Sequence, residues 1–315
     1  MRAATIREQE IVIEEHPDPV ALAGEVLVRV HAAGLNGADM MQRRGLYPAP
    51  PGSPQDIPGM EFAGEVVALG PHPPGAERFA VGERVMGIVG GGAQAELVTI
   101  HERQLMPVPA GLDWPAAGGL PEVFMTAHDA IFSQAELRSG ERLLVHGGAG
   151  GVGCAAVQLA RAVGARPTAT VRSEELREQV TELGAVVIAP EGFAEYGPFD
   201  VILELVGAPN LAENLQALAT GGRITVIGVA AGAKAELNLL ALMGKRARIH
   251  GSTLRARALE EKALCARRLE HEVLPLFDSG ALRVPIAETF PLEEAAAAYE
   301  RFAGGGKLGK IVLSM

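Results

Sequence analysis

The stretch LLVHGGAGGVGCAAVQLARAVGA, residues 143–165, constrains the fold of this chain more than any other. An apolar strand candidate, RLLVHG, runs into a turn rich in glycine, and a helical pattern begins at once. Glycines let the main chain approach a pyrophosphate, whose negative charge is then favoured at the N-terminus of the helix. Val152, Ala156, Leu159 and Val163 fall at helical spacing, while Cys154 and Ala155 stay small enough for the helix to lie close to a sheet. Gly148, Ala149, Gly150, Gly151, Val152 and Gly153 are therefore the expected phosphate cradle.

The surroundings extend this pattern. Short, almost wholly apolar runs at 142–147, 166–171, 186–190, 200–206, 223–229 and 248–254 alternate with helical segments. Such runs suit parallel strands covered on both faces, and the order predicts a doubly wound α/β sheet. One crossover is short: EGFAEYGPF leaves room for a turn or a single helical loop. The ribose 2′-hydroxyl of NADH is commonly held by an acid about 20 residues past the glycine loop. Here the second strand ends in Val171 and is followed by Arg172 and Ser173. A guanidinium there attracts a 2′-phosphate, so NADPH is the expected cofactor and NADH the alternative.

The first third reads as strands broken by turns. Val26, Val28 and Val30 alternate with Leu27, Arg29 and His31, the period of a strand with two unlike faces. The proline-rich LYPAPPGSPQDIPG, 46–59, is neither helix nor central strand and reads as a stiffened loop. The tail returns to an alanine-rich helix, LEEAAAAYERFAGGG, and a closing strand, GKIVLSM.

With 48% hydrophobic residues among 315, the chain can bury a sizeable core, and its net charge of −10 argues against a nucleic-acid partner. Two cysteines exclude a disulfide scaffold or a cysteine-rich metal domain. No apolar run is long enough to span a bilayer and no leader signal opens the sequence, so a cytoplasmic setting is expected. His31, His128, His146 and His250 lie in or beside apolar runs and read as structural histidines.

The blocks AAGLNGADMMQRRGLYPAPPG, IPGMEFAGEV, LPEVFMTAHDAI, HGGAGGVG, GSTLRAR and GKIVL together resemble the medium-chain dehydrogenase/reductase superfamily, and within it the zinc-independent, zeta-crystallin-like NADPH:quinone oxidoreductases. The resemblance implies a GroES-like β-barrel catalytic domain, 1–117 and 256–315, and a Rossmann dinucleotide-binding domain, 118–255. It also implies a homodimer joined through sheet edges. Zinc-dependent members place a Cys where this chain has Asn36 and a His where it has Met60, so no metal is expected. Without a Lewis acid an unactivated alcohol is hard to oxidise, whereas a quinone or other α,β-unsaturated carbonyl still accepts hydride. The resemblance puts Asn36 and Tyr47 at the acceptor, and Thr126, Gly228, Val229 and Leu254 beside the nicotinamide half. Its NADPH-dependent members carry a Lys and a Tyr near the 2′-phosphate that this chain lacks. Two alternatives stay open: an enoyl-type reductase of acyl thioesters or small enones, and an NADPH-binding protein without turnover.

Overall fold

A computed structural model describes residues 1–73 and 75–315. The chain divides into two compact units, one made of residues 1–125, 254–305 and 310–315, the other of residues 126–253 and 306–309.

The first unit opens with an antiparallel hairpin of β1 (Arg2–Arg7) and β2 (Glu10–Glu15). There follow β3 (Glu25–Gly34), α1 (Gly37–Arg43), β4 (Glu61–Leu69), β5 (Arg84–Ile88), β6 (Leu97–His101) and β7 (Leu105–Pro107). Helix α2 (Trp114–Gly118) ends this part of the chain, and α3 (Pro121–His128) crosses the division into the second unit. The alternation read in β3 is real: Val26, Val28 and Val30 are buried with Phe62, Val66, Val85, Val98 and Ile100, while Arg29 is exposed. No helix or strand interrupts residues 46–59, where the prolines stand.

The second unit contains β8 (Arg142–Val145), α4 (Gly151–Ala162), β9 (Arg166–Thr170), α5 (Arg177–Glu182), β10 (Val186–Ile188), β11 (Phe199–Glu204), α6 (Leu211–Ala217), β12 (Leu218–Val226), α7 (Leu239–Lys245) and β13 (Arg248–Gly251). Its six strands pair in parallel in the order β10-β9-β8-β11-β12-β13. Leu143–Val145 and Val201–Leu203 are fully buried, as strands at the centre of a sheet covered on both faces must be. The short crossover holds a single 3₁₀ turn, Phe193–Tyr196. Val163 departs from its expected place: the helix stops at Ala162, which leaves Val163 exposed beyond the apolar stripe.

The chain then returns to the first unit through α8 (Leu259–Glu272), α9 (Leu274–Asp278), β14 (Ile286–Pro291), α10 (Ala295–Ala303) and β15 (Lys310–Ser314). β15 fills a place between β14 and β3, completing a seven-stranded sheet from both ends of the chain. Among the described residues no helix is long and apolar enough to cross a membrane.

Candidate functional site

The two units carry different chemistry. In the second, the turn between β8 and α4 is shaped by contacts that admit only glycine. A Cβ on Gly148 would stand 2.6 Å from Ala169 Cβ, and one on Gly153 would stand 2.4 Å from Gly147 O. Gly150 caps α4 with an extended backbone, so the first free N–H groups of a 12-residue helix open beside this turn. That cradle fits a dinucleotide pyrophosphate. Gly309 N donates to Ala149 O at 2.8 Å, so residues 306–309 brace the same turn.

A buried chain of hydrogen bonds supports the cradle from beneath. Glu204, at the end of β11, accepts from Val206 N (2.7 Å), Gly207 N (2.8 Å) and Asn214 Nδ2 (2.7 Å). Asn214 Oδ1 must then accept from His146 Nε2 (2.7 Å), which leaves Nδ1 to accept from Thr170 Oγ1 (3.2 Å). Thr170 Oγ1 in turn accepts from Gly147 N (3.2 Å). Each donor direction follows from the one before, and all start from a single carboxylate. Burial holds the His146 imidazole below its ordinary pKa, against the pull of Glu204, which keeps it neutral for this role.

Arg172 follows β9 directly, is exposed, and makes no ion pair among the described residues. Arg177 is differently engaged: its Nε donates to Val171 O (3.2 Å) and its Nη1 lies 3.5 Å from Glu174. Ser173 is partly exposed, Thr126 is buried in α3, and Gly228 and Val229 follow β12, Val229 being exposed. Leu254 is buried in the first unit, apart in the chain's division from Gly228 and Val229.

In the first unit Asn36 caps α1, and its side chain enters a fully buried polar cluster. Asn36 Nδ2 donates to Glu61 Oε1 at 2.9 Å. Lys310 Nζ donates to Asn36 Oδ1 (2.6 Å) and Leu35 O (2.6 Å) and pairs with Glu61 Oε1 (2.7 Å). Glu61 Oε2 accepts from Glu122 N at 2.8 Å. Asp39 accepts from Asn36 N (2.8 Å) and Gly59 N (3.1 Å), and burial pushes its carboxyl up to about 6 despite those two bonds. Zinc is held by thiolate, imidazole or carboxylate. Asn36 and buried Met60 supply none of these, and an ammonium already lies against Asn36 and Glu61. Among the described residues no three His, Cys, Asp or Glu side chains form a group that could hold a metal ion.

Tyr47 is half-buried in the proline loop, its ring under the guanidinium of Arg255 at 5.1 Å. Arg255 is fully buried and donates to Gly90 O (2.7 Å), Tyr47 O (3.1 Å) and Gln42 Oε1. Lys310, Glu61, Asp39, Arg255 and Glu204 were not singled out from sequence. A signal for two of them existed: a Lys opening the apolar strand KIVLS and an Arg within STLRAR need buried acceptors.

Two family models match the chain: an alcohol dehydrogenase GroES-like domain over residues 22–110, and a zinc-binding dehydrogenase over residues 184–313. A quinone oxidoreductase of Rattus norvegicus is 33% identical over 308 residues, covering 94% of this chain and 90% of that protein. A spectinabilin polyketide synthase system protein of Streptomyces orinoci is 33% identical over 97% of this chain but only 14% of its own length. Among solved structures, an alcohol dehydrogenase superfamily protein from Novosphingobium aromaticivorans superposes with a TM-score of 0.89 at 32% identity, covering 100% of this chain and 99% of that one. A mycobacterial protein complexed with NADPH superposes with a TM-score of 0.88 at 26% identity, covering both chains completely. With its GroES-like barrel, its Rossmann-type sheet and these relatives, the chain belongs to the medium-chain dehydrogenase/reductase superfamily and is an oxidoreductase of it.

Proposed function

We propose that the protein reduces a quinone, or a related α,β-unsaturated carbonyl, with NADPH and without a catalytic metal. The observation that carries this reading is the buried Lys310 ammonium, held by Asn36 and Glu61 in the segment where metal-dependent members bind zinc. An oxidoreductase with that interior cannot lean on a Lewis acid there, so its acceptor must be electrophilic beforehand. The cradle at Gly148–Gly153 would hold the dinucleotide pyrophosphate, and exposed Arg172 would meet its 2′-phosphate. When bound, a reduced nicotinamide supplies hydride to an electron-poor carbon. The Tyr47 hydroxyl donates a hydrogen bond to the acceptor oxygen on which negative charge develops. Asn36, whose amide is spent on Lys310 and Glu61, shapes the acceptor side by fixing the start of α1.

We also propose that a second copy docks at the open edge of the Rossmann sheet. Among the described residues β13 pairs only with β12, and the adjoining α7 exposes Leu239, Leu240 and Met243. An open strand edge beside exposed apolar side chains favours a homodimer. The relationship to a polyketide synthase protein keeps enoyl-type reduction of acyl thioesters as the second reading.

Steady-state NADPH oxidation separates these readings. We expect turnover with 1,2- or 1,4-quinones above that with crotonyl-type enones, unchanged by a metal chelator. Loss of turnover on chelation with recovery on added zinc would overturn the metal-free reading; preference for the enone thioester would favour the second. Absence of consumption with every acceptor would leave a binding protein. In the same assay Arg172→Ala should weaken NADPH about tenfold or more while sparing NADH, since a charge-assisted hydrogen bond contributes roughly 1.5–3 kcal/mol. Equal losses for both would remove Arg172 from that role.

A further inference from the structure

Arg255 is costly where it stands. Its side chain is fully buried, yet its acceptors are two carbonyl oxygens and the Gln42 amide, and among the described residues no carboxylate pairs with it. A neutral side chain of similar volume would pack there at lower cost, because a buried cation is compensated fully only by an anion. What the charge adds is its position against the ring of Tyr47, 5.1 Å from the centroid. The planar fork also joins three segments, helix α1 through Gln42, the proline loop through Tyr47 O, and the turn after β5 through Gly90 O. Lysine, a point charge, cannot bridge three acceptors in one plane.

We propose that Arg255 is a positioning residue for Tyr47: its guanidinium fixes the proline loop and lies against the phenol, holding the hydroxyl ready to donate to an anionic oxygen. The proposal rests on Tyr47 acting as the donor in the reduction. Burial alone makes the phenol a poorer acid than free tyrosine; Arg255 opposes this, while Glu122 reinforces it. Besides Tyr47, the ionisable groups that act on Arg255 are Asp39 on α1, Glu122 on α3 and Tyr299 on α10, and Arg255 in turn disfavours the charge of Lys262 on α8. Only Arg255 among these both touches the loop and carries positive charge against the ring.

Ultraviolet difference titration of the phenols between about pH 8 and 12 tests the idea without any acceptor. The chain has three tyrosines, and Tyr47→Phe identifies the Tyr47 component by subtraction. Arg255→Gln, which keeps donors but loses charge, should move that component upward by about one pH unit, and Arg255→Lys should return it part of the way. In turnover, Arg255→Gln should lower kcat about tenfold with the KM for NADPH unchanged, and should cost nothing further in a Tyr47→Phe background. A Tyr47 titration that ignores the charge at 255 would overturn the proposal. So would an equal loss of kcat whether or not Tyr47 keeps its hydroxyl, since that marks a scaffold residue only. If the titration shifts but no acceptor is reduced, the function assigned to the site fails while the coupling of the two residues stands.

Discussion

Replacing Lys310 with methionine tests the buried cluster most directly. The ammonium lies within 2.7 Å of three oxygens, those of Leu35, Asn36 and Glu61, and none of these side chains has appreciable contact with solvent. Methionine fills nearly the same volume, so the cavity contribution is small and the cost is electrostatic. Breaking a buried pair by removing one partner typically costs about 3–5 kcal/mol. Glu61 keeps two donors, Asn36 Nδ2 and Glu122 N, which places the expected loss near the lower end, about 3 kcal/mol. For a unit of this size that corresponds to a fall in Tm of about 6–12 °C. Trp114, the single tryptophan, lies in the same unit, stacked on His31 at 4.4 Å, so its fluorescence reports the transition there. The pH dependence has a definite sign. An unpaired buried carboxyl has its folded pKa raised, so folding takes up a proton and the variant recovers stability as pH falls toward the ordinary carboxylate range. Lys310→Met/Glu61→Gln should regain most of the loss at neutral pH, because no charge is then left without a partner. A single variant that costs less than about 1 kcal/mol at pH 7 would refute the reasoning, as would a double variant no more stable than the single.

Two further perturbations probe the other buried groups. Asp39, pushed by burial from 3.8 to about 6, favours folding most below pH ~4, and that contribution is lost as pH rises through 6. Asp39→Asn should therefore flatten the slope of stability between pH 4 and 6 in acid-titrated thermal melts, and an unchanged slope would place the burden elsewhere. His146→Leu breaks the hydrogen-bond chain from Glu204 to Gly147 and should weaken NADPH binding about tenfold in a direct titration, with His146→Gln intermediate. Wild-type affinity in the leucine variant would show that the cradle keeps its shape without that chain.

The glycine turn, the parallel sheet and the alternating strand were legible because each is written in adjacent residues. Gly148 and Gly153 stand within a few positions of the helix they open, and Val26, Val28 and Val30 share one face by strand period alone. The buried charges were not legible in the same way. Lys310 meets Asn36 across 274 positions, and Arg255 meets Gln42 across 213, distances over which no periodicity speaks. His146 was read as structural from its apolar neighbours, but its partner Asn214 lies on a helix 68 positions later, so its link to Glu204 was invisible. Leu254, which the resemblance puts beside the nicotinamide half, falls just past the division between the compact units, a boundary that no periodicity in GSTLRAR announces.

The place of β15 has a consequence for biosynthesis. β3 leaves the ribosome well before its neighbour β15, which begins only at residue 310. Residues 126–253, which form all six strands of the parallel sheet, emerge in the interval. Most of the inserted unit can thus form while β3 still waits for the strand that completes its sheet. Through that interval Val312 and Leu313 are absent from the interior they will seal, so the apolar face of β3 stays open to non-native contacts until β15 arrives.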